Sequence, residues 1–189
     1  MTDRPTGRPR TIDPDAVSLA ALRLFDDRGY DSVSMDQVAA AAGVSRRSLF
    51  RLFPTKASLV WGGLEEFADR LRAALDDRPL DESGSDGLRA AYRAAATFPD
   101  AAVETTRHRL RVIRTNPTLD REGAPRIAGL EDRLTRFVAE RDHADPSDLG
   151  PAVRAAAYAG AAIAALTWWA EHDDGRPEDV VDRALRGLA

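Results

Sequence analysis

Two short helical patterns separated by a single glycine constrain this chain more than any other feature. They lie within residues 34–59, which read SMDQVAAAAGVSRRSLFRLFPTKASL. Ser34 and Gln37 have the spacing of a capping box, in which each side chain bonds the backbone amide of the other residue. Gly43 follows the first pattern directly, and glycine tolerates the left-handed backbone that ends a helix sharply. The segment therefore predicts two helices that meet at a tight turn.

The second of these helices is apolar on one side and cationic on the other. Ser45 can cap its start, and Pro54 ends it because proline lacks an amide hydrogen and restricts the residue before it. Its apolar side carries Leu49, Leu52 and Phe53. The remaining surface carries hydroxyl and guanidinium groups, on Ser45, Arg46, Arg47, Ser48 and Arg51. This arrangement has the geometry of a helix-turn-helix, whose second helix fits the major groove of B-DNA.

The motif and the helix before it resemble the DNA-binding domain of the TetR/AcrR family of bacterial regulators. The shared pattern begins with an Ala-Leu-x-Leu-Phe segment and continues through the glycine turn. Its positions are Ala21, Leu22, Leu24, Phe25, Gly29, Tyr30, Ser34, Val38, Ala39, Ala42, Gly43, Val44, Ser45, Leu49, Phe50, Phe53, Lys56 and Leu59. So many fixed spacings over about the first 60 residues make a specific signal. The alternative is a helical bundle in which AAAAGVS only turns a corner.

The resemblance implies which residues contact DNA. They are Ser34, Ser45, Arg46, Arg47, Ser48, Phe50, Arg51 and Lys56. Phe50 stands where the family usually carries tyrosine, so the hydroxyl that would donate to a phosphate is absent. Lys56 is the only lysine among 27 basic residues and occupies the family's phosphate-contacting position. Arg46 and Arg47 diverge by about 100° on a helix, so one should read a base and the other a phosphate, in either assignment.

Composition permits a DNA-binding protein and gives little further support. The formal net charge is −4; residues 1–60 hold 9 basic and 7 acidic residues, and the remainder holds 18 and 24. DNA binding must therefore depend on local placement of charge. The absence of cysteine suits the cytoplasm. No run approaches the about 18 apolar residues of a membrane helix, and the N-terminus does not resemble a signal peptide. We expect a cytoplasmic protein with no membrane partner.

Helical periodicity continues to the C-terminus without any strand pattern or repeat, which predicts an all-α fold of about nine helices. We expect a flexible basic arm over residues 1–12, a three-helix DNA-binding domain over 13–58, and a larger regulatory and dimerisation domain over 59–189. The fourth helix should span about 56–78. Its Gly62–Gly63 pair weakens it by on the order of 1 kcal/mol per glycine, either as a hinge or as a site of close packing. Later helices are predicted at 86–97, 100–115, 119–142 with a break near 123–125, 151–172 and 177–188.

The segment 151–172 is apolar almost all round, so it must be buried on several sides. Small residues recur every fourth position and form a smooth ridge. In a monomer this would be an ordinary central helix. In the family that the chain resembles, the last two helices of each subunit form a four-helix dimer interface, which implies a homodimer on a pseudo-palindromic operator. The expected interface residues are Ala156, Gly160, Ala164, Val181 and Leu185.

The resemblance also implies an apolar ligand cavity in the larger domain. Candidate lining residues are Trp61, Leu64, Phe67, Tyr92, Leu110, Phe137 and Trp168, although a filled core explains most of them individually and we expect fewer than half to contact a ligand. The stretches RHRLRVIRTNPTLDRE and SRRSLFRLFPTK look like those of mycofactocin-system regulators, which are associated with acyl-CoA-like ligands. The arginines of the first stretch could meet a CoA phosphate or form a solvated helix face.

The expected function is a ligand-responsive transcription regulator, most commonly a repressor that a small apolar or acyl-CoA-like effector releases from double-stranded DNA. A ligand-dependent activator and a helical interaction module without DNA binding are the alternatives. An enzyme is not expected, because His108, His143 and His172 lack metal-ligand spacing and there is no glycine-rich phosphate loop or nucleophile elbow. We expect no metal and no cofactor.

Overall fold

The computed structural model describes residues 12–119 and 129–188, and within them the chain forms helices and no strands. The all-α class is therefore confirmed. The helices are α1 (Pro14–Arg28), α2 (Met35–Ala41), α3 (Arg46–Leu52), α4 (Ser58–Asp76), α5 (Gly84–Ala95), α6 (Asp100–Thr115), α7 (Leu130–Arg141), α8 (Leu149–His172) and α9 (Pro177–Arg186). The basic arm apart from Ile12, and the predicted break near 123–125, lie outside the described residues.

Local capping chemistry sets the helix-turn-helix as its sequence predicts. The Ser34 amide donates to Gln37 Oε1 at 2.8 Å, and the Gln37 amide donates to Ser34 Oγ at 3.3 Å, which completes the capping box. Gly43 has a φ of +65°, in the left-handed region that favours glycine. Ser45 Oγ accepts a hydrogen bond from the Ser48 amide at 3.1 Å. These contacts fix where α2 ends and where α3 begins.

Several helix boundaries differ from the predicted ones, each by about two residues. Helix α4 begins at Ser58 because Thr55 and Ser58 cap each other through side chain and amide, closing a turn ahead of the helix. Helix α5 begins earlier than predicted because Ser83 Oγ accepts from the Asp86 amide at 3.1 Å. Helix α8 begins at Leu149, since Pro151 falls in its first turn, where a missing amide breaks no helical hydrogen bond.

Two buried apolar clusters organise the helices. The smaller one, called here the reader core, joins α1 to α3 through Leu22, Val38 and Leu49. It also takes in Leu59, Val60 and Trp61 of α4, together with Val112 of α6 and Leu119. The larger one, called here the regulatory core, joins the rest of α4 to α5, α7, α8 and α9. Helix α4 is therefore built into both clusters, and the end of α6 reaches into the reader core.

Helix α8 is more apolar than the sequence analysis allowed. By length and composition it could cross a membrane, with a mean hydropathy of 1.4 over an 18-residue window. The expectation that no such run exists is wrong on this measure. Tyr158 and Trp169, however, lie on a face of α8 that is buried in the regulatory core. Since the core helix of a globular domain has the same length and composition, these properties alone do not indicate a membrane span.

The glycine pair of α4 has two different environments. A methyl group built on Gly62 would meet nothing within 4 Å, whereas one built on Gly63 would overlap the guanidinium of Arg109. The Arg109 side chain crosses from α6 and donates from Nε to the Val60 carbonyl at 2.8 Å. Burial lowers the pKa of Arg109, and the nearby Glu66 carboxylate opposes that shift. Close packing explains Gly63, because this guanidinium occupies the space beside it.

Replacing each glycine by alanine should separate these environments. Gly62→Ala should raise the free energy of unfolding by about 1 kcal/mol, because it improves helix propensity and meets no neighbour. Gly63→Ala should lower it by about 1–3 kcal/mol, since the methyl group must displace Arg109. Urea denaturation at one fixed protein concentration measures both changes. Equal stabilisation by the two substitutions would contradict the close packing of Arg109 against Gly63.

Candidate nucleic-acid interface

The predicted DNA-contacting side chains of the helix-turn-helix and its flanking residues are all accessible. Buried Val38 and Leu49 hold α2 and α3 in the reader core, so the opposite side of α3 faces outward. We call this outward surface the reader face. All of its members are exposed or half-buried: Ser34, Ser45, Arg46, Arg47, Ser48, Phe50, Arg51 and Lys56. The apolar anchors are thus inside and the polar groups outside, as a helix that enters a DNA groove requires.

The three arginines of α3 differ in their partners. Arg46 Nη1 lies 3.1 Å from Asp36 Oδ2 of α2, and the Arg46 guanidinium carbon lies 5.5 Å from the centre of the Phe50 ring. Within the described residues, neither Arg47 nor Arg51 has a hydrogen bond, an ion pair or a ring contact. Asp36 was not among the predicted site residues; its signal in the sequence is an acidic residue in the first turn of α2.

Lys56 makes cation–π contacts with two aromatic rings at the edge of the reader face. Its Nζ lies 4.2 Å from the centre of the Tyr30 ring and 5.7 Å from that of Phe25, and the two rings meet edge to face. A cation above a ring is attracted by the negative face of the π system. Partial burial lowers the pKa of Lys56, while the Asp31 carboxylate raises it. The ammonium is thereby held in one place, where a phosphate oxygen could approach it.

The serine hydroxyls of the reader face are already part of helix caps. Ser34 Oγ accepts from the Gln37 amide, and Ser45 Oγ accepts from the Ser48 amide and donates to Ser48 Oγ at 2.8 Å. A hydroxyl can accept and donate at the same time. The Ser34 and Ser48 hydroxyls can therefore donate to a phosphate without releasing the caps.

The arginines of α6 lie on two opposite faces of that helix. Arg107 Nη1 donates to the Trp169 carbonyl at 3.1 Å, Arg111 Nε donates to the Ala170 carbonyl at 2.8 Å, and Arg114 pairs with Glu171. Cations are favourable where carbonyls end a helix, so these three arginines bind the end of α8. These contacts hold α6 against α8, and contact with a CoA phosphate stays a prediction for these arginines. Arg109 faces α4 instead.

The predicted ligand-lining residues do not gather in one place. Tyr92 and Phe137 are buried in the regulatory core, where Phe67 and Leu110 pack at its edge. Burial raises the pKa of the Tyr92 hydroxyl. Trp61 and Leu64 belong to the reader core instead. They are adjacent to Val60, whose carbonyl binds Arg109. The predicted lining residues discussed here thus fall into two groups, one at the regulatory core and one at the reader core.

Trp168, predicted to line the ligand cavity, lies on the outer surface of α8. Its side chain is 45% exposed, and its ring stacks on His172 at a centroid distance of 5.2 Å. A ring on the outer surface of α8 cannot line an internal cavity, so the ligand-lining prediction is wrong for Trp168. Its periodicity matched that of the inward residues because α8 is apolar on every side.

Two of the grooves on the surface of the described residues are polar, and neither is the apolar cavity expected from the sequence. The larger, of about 800 Å³, is lined by charged residues of α5 and the preceding loop. Its cations already have partners, with Arg78 on Glu82 at 2.7 Å and Arg89 on Asp182 at 2.9 Å. The smaller, of about 210 Å³, includes Phe137. No three His, Asp or Glu side chains converge as metal ligands in residues 12–119 and 129–188.

The predicted interface residues divide between surface and core. Ala156, Gly160 and Ala164 are exposed on α8. Val181 and Leu185 of α9 are fully buried in the regulatory core, so the prediction that they contact a partner is wrong. The amphipathic spacing of α9 identified its apolar face correctly, but that face packs on the protein's own α5 and α8. The large exposed apolar side chains of α8, none of them predicted as interface residues, are Leu149, Val153, Ile163 and Trp168.

Comparisons with known proteins agree with this geometry. Residues 19–60 match the family described as bacterial regulatory proteins of the tetR family, and residues 82–189 match the MftR C-terminal domain. A putative mycofactocin biosynthesis transcriptional regulator, MftR, of Mycobacterium tuberculosis is 34% identical over 163 residues, covering 86% of this chain and 82% of that protein.

Solved structures share the fold at low identity. The fatty acid degradation regulator FadR of Bacillus halodurans is 16% identical, with a TM-score of 0.69 over 96% of each chain. Thermus thermophilus FadR, a transcriptional repressor in complex with lauroyl-CoA, is 18% identical, with a TM-score of 0.55 over 93% of each chain. At these identities the likeness concerns the fold alone.

The position of Lys56 predicts a contact with phosphate that does not depend on base sequence. Lys56→Ala should weaken binding to all duplexes alike and reduce the slope of log K against log salt by about one. Lys56→Arg, which keeps the charge, should retain the slope. Fluorescence anisotropy over a salt series, with two unrelated duplexes, measures both quantities. A loss confined to one of the two duplexes would show that Lys56 reads sequence instead.

Proposed function

The chain belongs to the TetR family of bacterial regulators, and from that premise we propose that it is a repressor that binds a pseudo-palindromic operator as a homodimer and releases it on binding an acyl-CoA-like effector. DNA-binding regulation of transcription, rather than catalysis, is the role of the family. The observation that carries the proposal is the reader face, on which Arg47, Arg51 and Lys56 are presented together.

A second copy of the chain is the proposed cover for the exposed side of α8. On this side apolar and small residues recur every three or four positions, which places them in one stripe. The stripe, called here the α8 stripe, consists of Val153, Ala156, Gly160, Ile163, Ala164 and Trp168. An apolar stripe of this length on a folded chain marks a protein interface. Small residues at its centre allow two helices to approach closely.

The reader itself supports a dimer. Helix α3 has seven residues, so one copy can contact only a few base pairs. Two copies related by a two-fold axis place two such helices about 34–36 Å apart, in successive major grooves on one side of the duplex. The dimer then sets the spacing of the half-sites, and a change in that spacing is enough to lose the operator.

Gly160→Leu should separate the protomers. A methyl group built on Gly160 meets nothing within 4 Å in the protomer, so leucine fits the single chain but would collide with a helix packed closely on the stripe. Light scattering should report a monomer that keeps its helical circular dichroism. Gly62→Leu is the matched control, because Gly62 is also exposed and has no neighbour within 4 Å. A Gly160→Leu protein that stays dimeric would count against this interface.

An acyl-CoA-like effector is supported by two cations beside an aromatic pair. Gly63, Phe67 and Arg70 follow one face of α4, and the Phe67 ring lies 6.4 Å from that of Phe98. Arg109 lies at Gly63, beyond one end of this pair. No carboxylate lies within 4 Å of either guanidinium in the described residues.

Among the described residues, each of these guanidinium groups donates a hydrogen bond to one backbone carbonyl. Arg70 Nε donates to the Ala95 carbonyl at 3.0 Å, and its guanidinium carbon lies 4.8 Å from the centre of the Phe98 ring. Burial lowers the pKa of both Arg70 and Arg109, although the Glu66 carboxylate raises it. Desolvated cations favour an anionic partner. An anionic group carrying an apolar chain has both of the properties that this region would bind.

Repression relieved by the effector follows from the position of α4. Because α4 is part of both cores, a ligand that inserts beside Phe67 and Arg109 would shift α4 and the reader core together. A ligand moves an equilibrium only by its differential affinity for the two states. The lauroyl-CoA complex of the Thermus thermophilus repressor supports this class of effector.

Lauroyl-CoA should raise the melting temperature of the protein and release it from bound duplex. Arg109→Gln should weaken this response by roughly 10- to 100-fold in effector concentration, because it removes one charge-assisted contact. Arg93→Gln, which changes an exposed arginine of α5, should respond like the unaltered protein. Free laurate and free CoA, tested separately, assign the response to the chain or to the head group. No thermal shift with lauroyl-CoA or stearoyl-CoA would remove the effector proposal.

A further inference from the structure

The reader face distinguishes one arginine from the other two. Arg46 is held between two helices, by the Asp36 carboxylate at 3.1 Å and by the Phe50 ring at 5.5 Å. Phe50 lies one turn after Arg46 on α3, so its ring comes beneath the same guanidinium. Arg47 and Arg51 have no such partners among the described residues. The difference concerns orientation, since all three side chains are exposed.

This pair of contacts adds little to stability. The Arg46 and Asp36 side chains are 68% and 62% exposed, and exposed ion pairs contribute about 0–1 kcal/mol. What the contacts do is favour one orientation of the guanidinium over the others. Arginine reads guanine through two parallel hydrogen bonds to O6 and N7, so its plane must match that of the base. Rotamer freedom that is lost in the free protein is not lost again on binding.

We propose that Arg46 is the base-reading arginine of α3, and that Asp36 and Phe50 are the residues that position it. Arg46 is the first residue of α3, and the N-terminal residues of a recognition helix are those that meet base edges. Nη1 is engaged with Asp36, which leaves the edge formed by Nε and Nη2 for the base. Arg47 and Arg51 then contact phosphates. This inference rests on the proposed operator binding.

The charge of Asp36 has a second consequence for specificity. A carboxylate beside the groove repels phosphate oxygens, which lowers affinity for any duplex. It also keeps Arg46 from leaving the base for a phosphate. Asp36 thus lowers affinity for unrelated DNA more than affinity for the operator, and specificity is the difference between the two.

Phe50 also takes part in positioning Arg46. Without a hydroxyl it donates nothing to the backbone, and its ring, 38% exposed, instead supports the Arg46 cation. The departure from tyrosine at this position thereby exchanges a phosphate contact for control of a base-reading side chain.

The test begins with duplexes that the unaltered protein selects from a library with a randomised centre. Dissociation constants are then measured for every single base-pair change in the selected site. For the unaltered protein, replacing one particular G·C pair in each half-site should lower the binding affinity by roughly 5- to 150-fold. Arg46→Ala should abolish that preference. Asp36→Asn and Phe50→Ala should each reduce it by about 3- to 10-fold, and Asp36→Asn should also tighten binding to a scrambled duplex.

Two comparisons decide the outcome. Asp36→Asn should leave base preferences unchanged in a protein that already carries Arg46→Ala, because its effect acts through Arg46. Arg47→Ala should weaken binding to every duplex by the same factor and keep the G·C preference. Loss of that preference in Arg47→Ala, or an unchanged preference profile in Asp36→Asn, would overturn the assignment. If the unaltered protein selects no duplex, the proposed function itself fails, which is a separate result.

Discussion

Sharing of one helix between two apolar clusters is the constraint on which the rest of the structure depends. The first turn of α4 is buried with α1–α3, and its later turns are buried with α5 and α7–α9. Neither cluster can move along the axis of α4 without the other. Arg109 reinforces this by crossing from α6 to a carbonyl of α4, in space that only a glycine at position 63 leaves open. The helix therefore connects the regulatory core directly to the reader core.

Arginine serves two purposes in this chain, and its partners separate them. On α6, guanidinium groups bind carbonyls at the end of α8 and an acid beside them, so they hold helices together. A second tie joins α6 to α1, where His108 Nδ1 lies 2.7 Å from Asp26 and Arg23 lies 2.6 Å from Glu104. On α3, by contrast, Arg47 and Arg51 are presented to solvent beside Lys56. The net charge of the chain is −4, yet within the described residues Arg47 and Arg51 have no carboxylate partner.

The α8 stripe and the reader face both support the proposed dimer. A seven-residue helix reads too little DNA alone, and an apolar stripe on α8 needs a cover. The proposed pairing of two copies would meet both needs at once, because it would bury the stripe and double the number of contacted bases. In the proposed dimer, the tilt of α4 would set the distance between the two α3 helices, so a small molecule bound beside Phe67 would act on DNA at a distance.

The sequence alone determined the elements whose causes are local. The capping box at Ser34 and Gln37, the left-handed Gly43 and the cationic α3 all depend on neighbours within a few residues, so their pattern was sufficient.

The partners of a side chain are set by packing of distant helices, and periodicity cannot reveal them. Val181 and Leu185 were correctly seen as apolar but face inward, and Trp168 was assigned inward but faces outward, because only the tertiary structure decides which apolar side of α8 and α9 the core takes. It also decided that Asp36 holds Arg46, since α2 and α3 must pack before that carboxylate and that guanidinium can meet.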